Sequence, residues 1–185
     1  FLENNKNLTE WSNINPKMLK KEEKDKQDFL MKVQPKQVTI QSSKKERKLK
    51  LVADYYNNPS SRSKWVVVAH AYSSQAADMV LWIKEFYSQG FNVLAIDLRG
   101  HGRSEGDYIG MGWDERLDII QWLDWIILND AQAEIALFGL SMGAAAVMMA
   151  SGENLPDNVK VVVEDCGYSS TIKLFSYQIK ELGKF

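Results

Sequence analysis

Cysteine occurs once in 185 residues, at Cys166, and histidine twice, at His70 and His101. A single cysteine excludes an internal disulfide framework and a cysteine-rich zinc site, and leaves reducing and oxidising compartments equally open. With two histidines, any chemistry that needs an imidazole must use one of those positions or a residue outside the chain. The formal charge of −1 removes a whole-chain case for nucleic acid or an anionic membrane surface. No run of about 18 apolar residues is present, so no segment reads as a membrane span, and no signal-peptide pattern is seen. The chain begins at Phe1 without a methionine, so a native N-terminus, with any targeting segment or membrane anchor it held, is expected upstream of Phe1.

The composition is 45% hydrophobic and 25% charged, which sets aside disordered, collagen-like and coiled-coil classes and favours one globular domain. Charge is unevenly placed. Residues 1–64 carry 15 Lys/Arg against 8 Asp/Glu and residues 65–185 carry 8 against 16, so a basic leader precedes an acidic body. From Asn4 to Lys32 the chain is lysine-rich with scattered apolar anchors, Trp11, Ile14, Leu19, Phe29 and Leu30. Short helices wrapping a larger body and a solvated arm are both open there. Basic residues in 44–50 are interrupted by Glu46 and lack interleaved aromatics, which favours a solvated hairpin face over a phosphate-binding patch.

Segments 37–41 and 49–56 alternate apolar with polar residues and predict an antiparallel pair. The pattern then changes. Run 65–69 is continuously apolar, and 91–96, 134–138 and 159–163 are mainly so, as in buried strands of a parallel sheet. Helices are predicted at 74–89, 113–128 and 142–150, with Gly90 stopping the first and Asp114 and Glu115 in the first turn of the second. Strand–helix alternation gives a three-layer α/β/α fold with a mostly parallel sheet and right-handed crossovers. The boundaries expected are a leader at 1–36, a core at 37–166 and the start of a lid or cap helix at 167–185. The six tryptophans, Trp113, Trp122 and Trp125 among them, are expected in the core or facing a lid.

In such a sheet the reacting groups belong at the carboxyl ends of the strands. The strand at 134–138 runs into Gly139-Leu140-Ser141-Met142-Gly143. A direct turn from strand to helix forces Ser141 into a strained conformation with its hydroxyl exposed, and side chains at 139 and 143 would collide. By chance G-x-S-x-G arises in roughly 6 of every 100 chains of this length, so its place between a buried strand and the small-residue helix Ala144-Ala145-Ala146 is what gives it weight. Acyl transfer also needs two N–H donors for an oxyanion, one after the nucleophile and one from the loop after the first buried strand. Met142 and Tyr72 hold those positions. His70 precedes Ser141 and lies in that oxyanion loop, so it reads as a histidine bonded to nearby backbone. Cys166, with no partner histidine, reads as a small buried thiol.

With Asp97-Leu-Arg-Gly-His-Gly-Arg-Ser104 added, the three motifs make the chain resemble an α/β-hydrolase from about Val38 to Cys166, most of all uncharacterised Gram-positive hydrolases often described as cell-surface proteins. The resemblance implies a structural role for His101 and a catalytic order of Ser, then Asp or Glu, then His. It implies a cell-surface or membrane-anchored location, with the cytoplasm as the alternative. The family commonly has His-Gly where this chain has His70-Ala71, which reduces backbone freedom in the oxyanion loop. Asp165 or Glu164, after the fourth buried strand, could orient a base, as in some relatives, although most place the acid after the next strand. No histidine follows Ser141. The acid and base are therefore expected beyond Phe185, with two further strands in roughly 60–130 residues, and the remaining C-terminal part of the domain is the expected partner.

The function that follows is hydrolysis of a small carboxylic ester, or of a thioester or amide, with no metal, no organic cofactor and no nucleic acid. A non-catalytic ligand-binding module on the same fold, and an acyltransferase using the same serine, stay open.

Overall fold

Alternate side chains of the central strands point to opposite faces, and nearly all of them are apolar, so this sheet requires cover on both sides. The computed structural model describes residues 16–42 and 48–182. Residues 1–34 and 35–185 form two units. The described part of the first is one helix, α1 (Pro16–Val33), where the sequence left short helices or an arm open. The expectations for residues 4–15, and most of the basic stretch at 44–50, lie outside the described residues.

The second unit is built on a six-stranded sheet: β1 (Lys36–Gln41), β2 (Lys50–Tyr56), β3 (Lys64–Ala69), β4 (Asn92–Asp97), β5 (Glu134–Leu140) and β6 (Val159–Asp165). Their spatial order is β1-β2-β4-β3-β5-β6. β1 and β2 pair antiparallel, as the alternation predicted, and β2 pairs antiparallel with β4. The pairings β4–β3, β3–β5 and β5–β6 are parallel. Each predicted strand is therefore present, with ends shifted by one or two residues.

The helices are α2 (Val80–Ser88), α3 (Glu115–Asn129), α4 (Met142–Ser151) and α5 (Thr171–Leu182). The helix predicted over 74–89 divides into a single 3-10 turn, Ala76–Met79, and α2. Ala76 begins that turn because its N–H is drawn to the buried Asp97 carboxylate, 2.7 Å away. On one face of the sheet Trp65, Val67 and Ala69 of β3 and Ile135 and Leu137 of β5 pack with Ile119, Trp122, Leu123 and Ile126 of α3 and with Ala146, Val147 and Ala150 of α4. On the other face Phe138 meets the rings of Trp82 and Phe86 of α2. Trp122 is buried as expected, but Trp113 is 62% exposed, because α3 starts two residues later and leaves it in the preceding loop beneath the Arg116 guanidinium.

β6 lies at one edge of the sheet, with Val161 and Val163 exposed and Val162 against the core. None of α5 is buried. No helix among the described residues is long and apolar enough to cross a membrane.

Candidate active site

The three parallel strands β3, β4 and β5 end on one side of the sheet, and what the sequence places after each decides what collects there. After β5 the chain turns within one residue into α4. Ser141 makes that turn with φ 54° and ψ −108°, a left-handed value that costs energy for any residue with a Cβ. The glycines on either side are required sterically. A Cβ on Gly139 would enter the backbone of Gly143, and one on Gly143 would enter the Ala69 carbonyl at the end of β3. The Ser141 N–H donates to the Asp165 carbonyl, 2.8 Å, at the end of β6, which ties the turn to the next strand. Met142 opens α4 and is buried, and its N–H belongs to the first helical turn, where no carbonyl within the helix can accept it.

Ser141 lies in a cleft of about 380 Å³ lined also by Tyr72, Met111, Met142, Cys166, Gly167, Tyr168, Leu174, Phe175 and Gln178. The fold thus brings Tyr72, Ser141 and Met142 together around one cleft. Asp165 is half-buried beside it and does not line it. Ala71 takes no left-handed conformation, and the strained residue of its loop is Ser73 at φ 57°, so alanine in place of glycine at 71 imposes no backbone strain.

Both histidines face backbone. His70 is fully buried. Its Nε2 accepts the Leu98 N–H at 3.0 Å, so its proton sits on Nδ1 and is donated to the Ala71 carbonyl at 2.7 Å. Burial pushes the His70 imidazole below its ordinary pKa, toward the neutral form this arrangement uses. In the same way His101 accepts the Ser73 N–H on Nε2, 3.3 Å, and its Nδ1 faces the Arg99 carbonyl, 3.1 Å. The two rings meet edge to face, with centroids 5.0 Å apart. They lock the loops after β3 and β4 against each other.

The segment 97–104 is equally structural. The Asp97 carboxylate accepts from Ala76 N–H and from Arg103 N–H and Nε. Arg99 is buried and makes a bidentate pair with Asp118 of α3, both contacts 2.6 Å. Ser104 donates its hydroxyl to the Asp97 carbonyl and accepts the Val52 N–H, joining β4 to β2. A Cβ on Gly102 would press on the Asp97 carboxylate.

The expectation for Cys166 is overturned. The thiol is exposed and lines the cleft, because Cys166 follows the last residue of β6 with φ 52° and turns the chain out of the sheet. The sequence did not single out Met111, Tyr168, Leu174 or Gln178 as site residues. The available signal was Gly110-Met111-Gly112, a residue bracketed by glycines in a loop known to start at the end of a parallel strand. Among the described residues no group of three or more His, Cys, Asp or Glu is placed to hold a metal ion.

Residues 60–164, more than half of the chain, match the family described as serine aminopeptidase, S33. The chain belongs to this family of α/β-hydrolases. It is similar to the uncharacterised protein YqkD of Bacillus subtilis strain 168, 22% identical over 131 residues that make up 70% of this chain and 43% of that protein. Among solved structures it resembles the Pyrococcus furiosus esterase Pf2001, with a TM-score of 0.69 and 26% identity over 84% of this chain and 60% of the esterase chain. An alpha-beta serine hydrolase homologue from Coxiella burnetii shares the fold at a TM-score of 0.54 and 19% identity, over 69% of this chain and 61% of that one. The α/β-hydrolase chain therefore spans less than two thirds of these relatives.

Proposed function

We propose that this α/β-hydrolase acts on carboxylic esters with Ser141 as nucleophile. The observation that carries the reading is the left-handed Ser141 between two glycines that admit no side chain, facing a cleft at the strand ends. Ser141 Oγ bonds to the ester carbonyl carbon while its proton passes to a base. The N–H groups of Tyr72 and Met142 receive the oxyanion, the alkoxide leaves with the proton, and water then releases the acid. The base is a histidine outside these 185 residues, since His70 and His101 each spend both ring nitrogens on backbone. Asp165 is the acid candidate within the chain. Its carbonyl holds the Ser141 N–H, which supports a place near the nucleophile and leaves its carboxylate uncommitted to a role.

The same engagement of both histidines favours a second reading, a non-catalytic binding module on this fold. A fluorophosphonate probe on the full-length protein separates the two. Labelling that Ser141→Ala abolishes, together with loss of ester hydrolysis by at least about a thousandfold, is the expected result. A folded full-length protein that takes up no probe would leave the binding module standing.

A further inference from the structure

The wall of the Ser141 cleft includes one residue held from both ends by bonds the nucleophile does not need. Met111 lies in the loop between β4 and α3 at φ 52°, between Gly110 and Gly112. The Gly110 N–H donates to Oε1 of Glu115, 2.8 Å, and the Gly112 N–H to Oε2, 2.9 Å. Glu115 is fully buried. A Cβ on Gly110 would lie 2.7 Å from Oε2, so the carboxylate rests directly against this loop. On the other side the Met111 carbonyl accepts the Tyr168 hydroxyl, 2.9 Å. Tyr168 follows β6, so the bridge joins two loops that approach the cleft from different strands.

A buried carboxylate is costly unless its oxygens are bonded. Here both oxygens are spent on fixing the position of a single methionine, a side chain otherwise adaptable in shape. Met111 also lies between two spaces: with Tyr72 and Phe175 it lines both the Ser141 cleft and an adjoining cleft of about 460 Å³. Among the described residues that line the Ser141 cleft none is Lys, Arg, Asp or Glu, so these walls offer a charged acyl group no counterion.

We propose that Met111, clamped by Glu115 and Tyr168, is the specificity-determining residue of the acyl subsite, and that its side chain closes the subsite to all but short, neutral acyl groups. Glu115 is a positioning residue that acts through Met111. This proposal rests on Ser141 as nucleophile and adds the substrate class. The bond exchange is the one already described: the short acyl group passes to Ser141 Oγ and the alcohol leaves with the proton.

The test uses the full-length protein and p-nitrophenyl acetate, butyrate, octanoate and hemisuccinate. The readout is the ratio of kcat/KM for octanoate to that for acetate, in which the fraction of folded enzyme cancels. Wild type favours the short neutral esters. Met111→Ala joins the two clefts and raises the ratio about tenfold or more, the scale set by one or two methylenes in an apolar pocket. Met111→Gly, which the left-handed backbone at 111 favours, shifts it in the same direction by at least as much, and serves if the alanine variant unfolds. Tyr168→Phe and Glu115→Gln, each removing one anchor of the clamp, raise the ratio and increase KM for butyrate more than they lower kcat. A ratio in both Met111 variants within about twofold of wild type, or a wild-type preference for octanoate or hemisuccinate, overturns the proposal while leaving Ser141 in place. Absence of hydrolysis together with absence of probe labelling defeats the nucleophile reading itself, and the acyl-subsite proposal with it.

Discussion

His70 shows how a titratable side chain becomes a piece of framework. Its Nε2 takes a backbone N–H from the end of β4 and its Nδ1 gives its proton to the carbonyl just beyond β3, so protonating the ring destroys the acceptor on which Leu98 depends. Burial lowers its folded-state pKa below the unfolded value of about 6.5. The unfolded chain therefore binds the proton first, and the sign follows: the contribution is fully present above pH 6.5 and is lost as pH falls from there toward the folded value. We expect the midpoint of urea unfolding to fall on acidification from about pH 7 to below pH 6. In His70→Asn the protein is less stable throughout, but that part of the slope disappears. An unchanged slope in the variant would assign the pH dependence to other groups. The serine is the opposite case. Its strained turn was legible in the sequence because two glycines and a strand-to-helix change constrain the backbone, whereas the exposure of Cys166 was not, since a left-handed residue just past a strand leaves no mark on hydrophobic periodicity.

At the scale of elements, the loop after β4 is held by groups that look excessive for a connector. Arg99 and Asp118 are both buried and meet in a two-pronged pair that fastens the loop to α3. Removing one partner strands a charge away from water, so Arg99→Ala or Asp118→Ala is expected to cost about 3–5 kcal/mol of stability. The double change Arg99→Met with Asp118→Leu, which removes both charges and keeps apolar volume, is expected to recover most of that loss in the same denaturation experiment. If the double variant is no better than the single ones, the pair does more than fasten α3. The strands were readable because continuous apolar runs and alternating ones differ in kind. The break between the 3-10 turn and α2, and the late start of α3, were not. Both regions carry a carboxylate bonded to backbone N–H groups, Asp97 to that of Ala76, far along the chain, and Glu115 to those of Gly110 and Gly112 in the loop just before it, and hydrophobic periodicity registers neither.

At the scale of the molecule, the sheet has unequal margins. β1 ends one side with polar residues facing out, whereas β6 ends the other with Val161 and Val163 open to solvent on the α2 side. Val161 stands beside Ala136 and Val163 beside Phe138, whose ring α2 covers. The cover that α2 gives β5 does not extend to β6. An open apolar strand edge invites pairing with another chain. Prepared as these 185 residues, the protein is expected to self-associate with rising concentration in sedimentation velocity, and Val161→Lys with Val163→Lys to shift it toward monomer. A wild-type sedimentation coefficient independent of concentration would refute this. The strand's apolar character was plain in the sequence. Which of its faces would lack cover depended on where α2 lies, and so was not.

The interleaved strand order carries a consequence in time. β2 is flanked by β1 and β4, not by β3, the strand that follows it in the chain. As the chain emerges from the ribosome, β1 and β2 can pair at once, but the inner edge of β2 has no partner until the 41 residues from 57 to 97 have been made. At ~5–20 residues per second that is an interval of ~2–8 s. During it Leu51 and Ala53, both buried in the finished sheet, have no core to enter. For that interval the nascent hairpin has an open inner edge, at which pairing with another chain competes with folding.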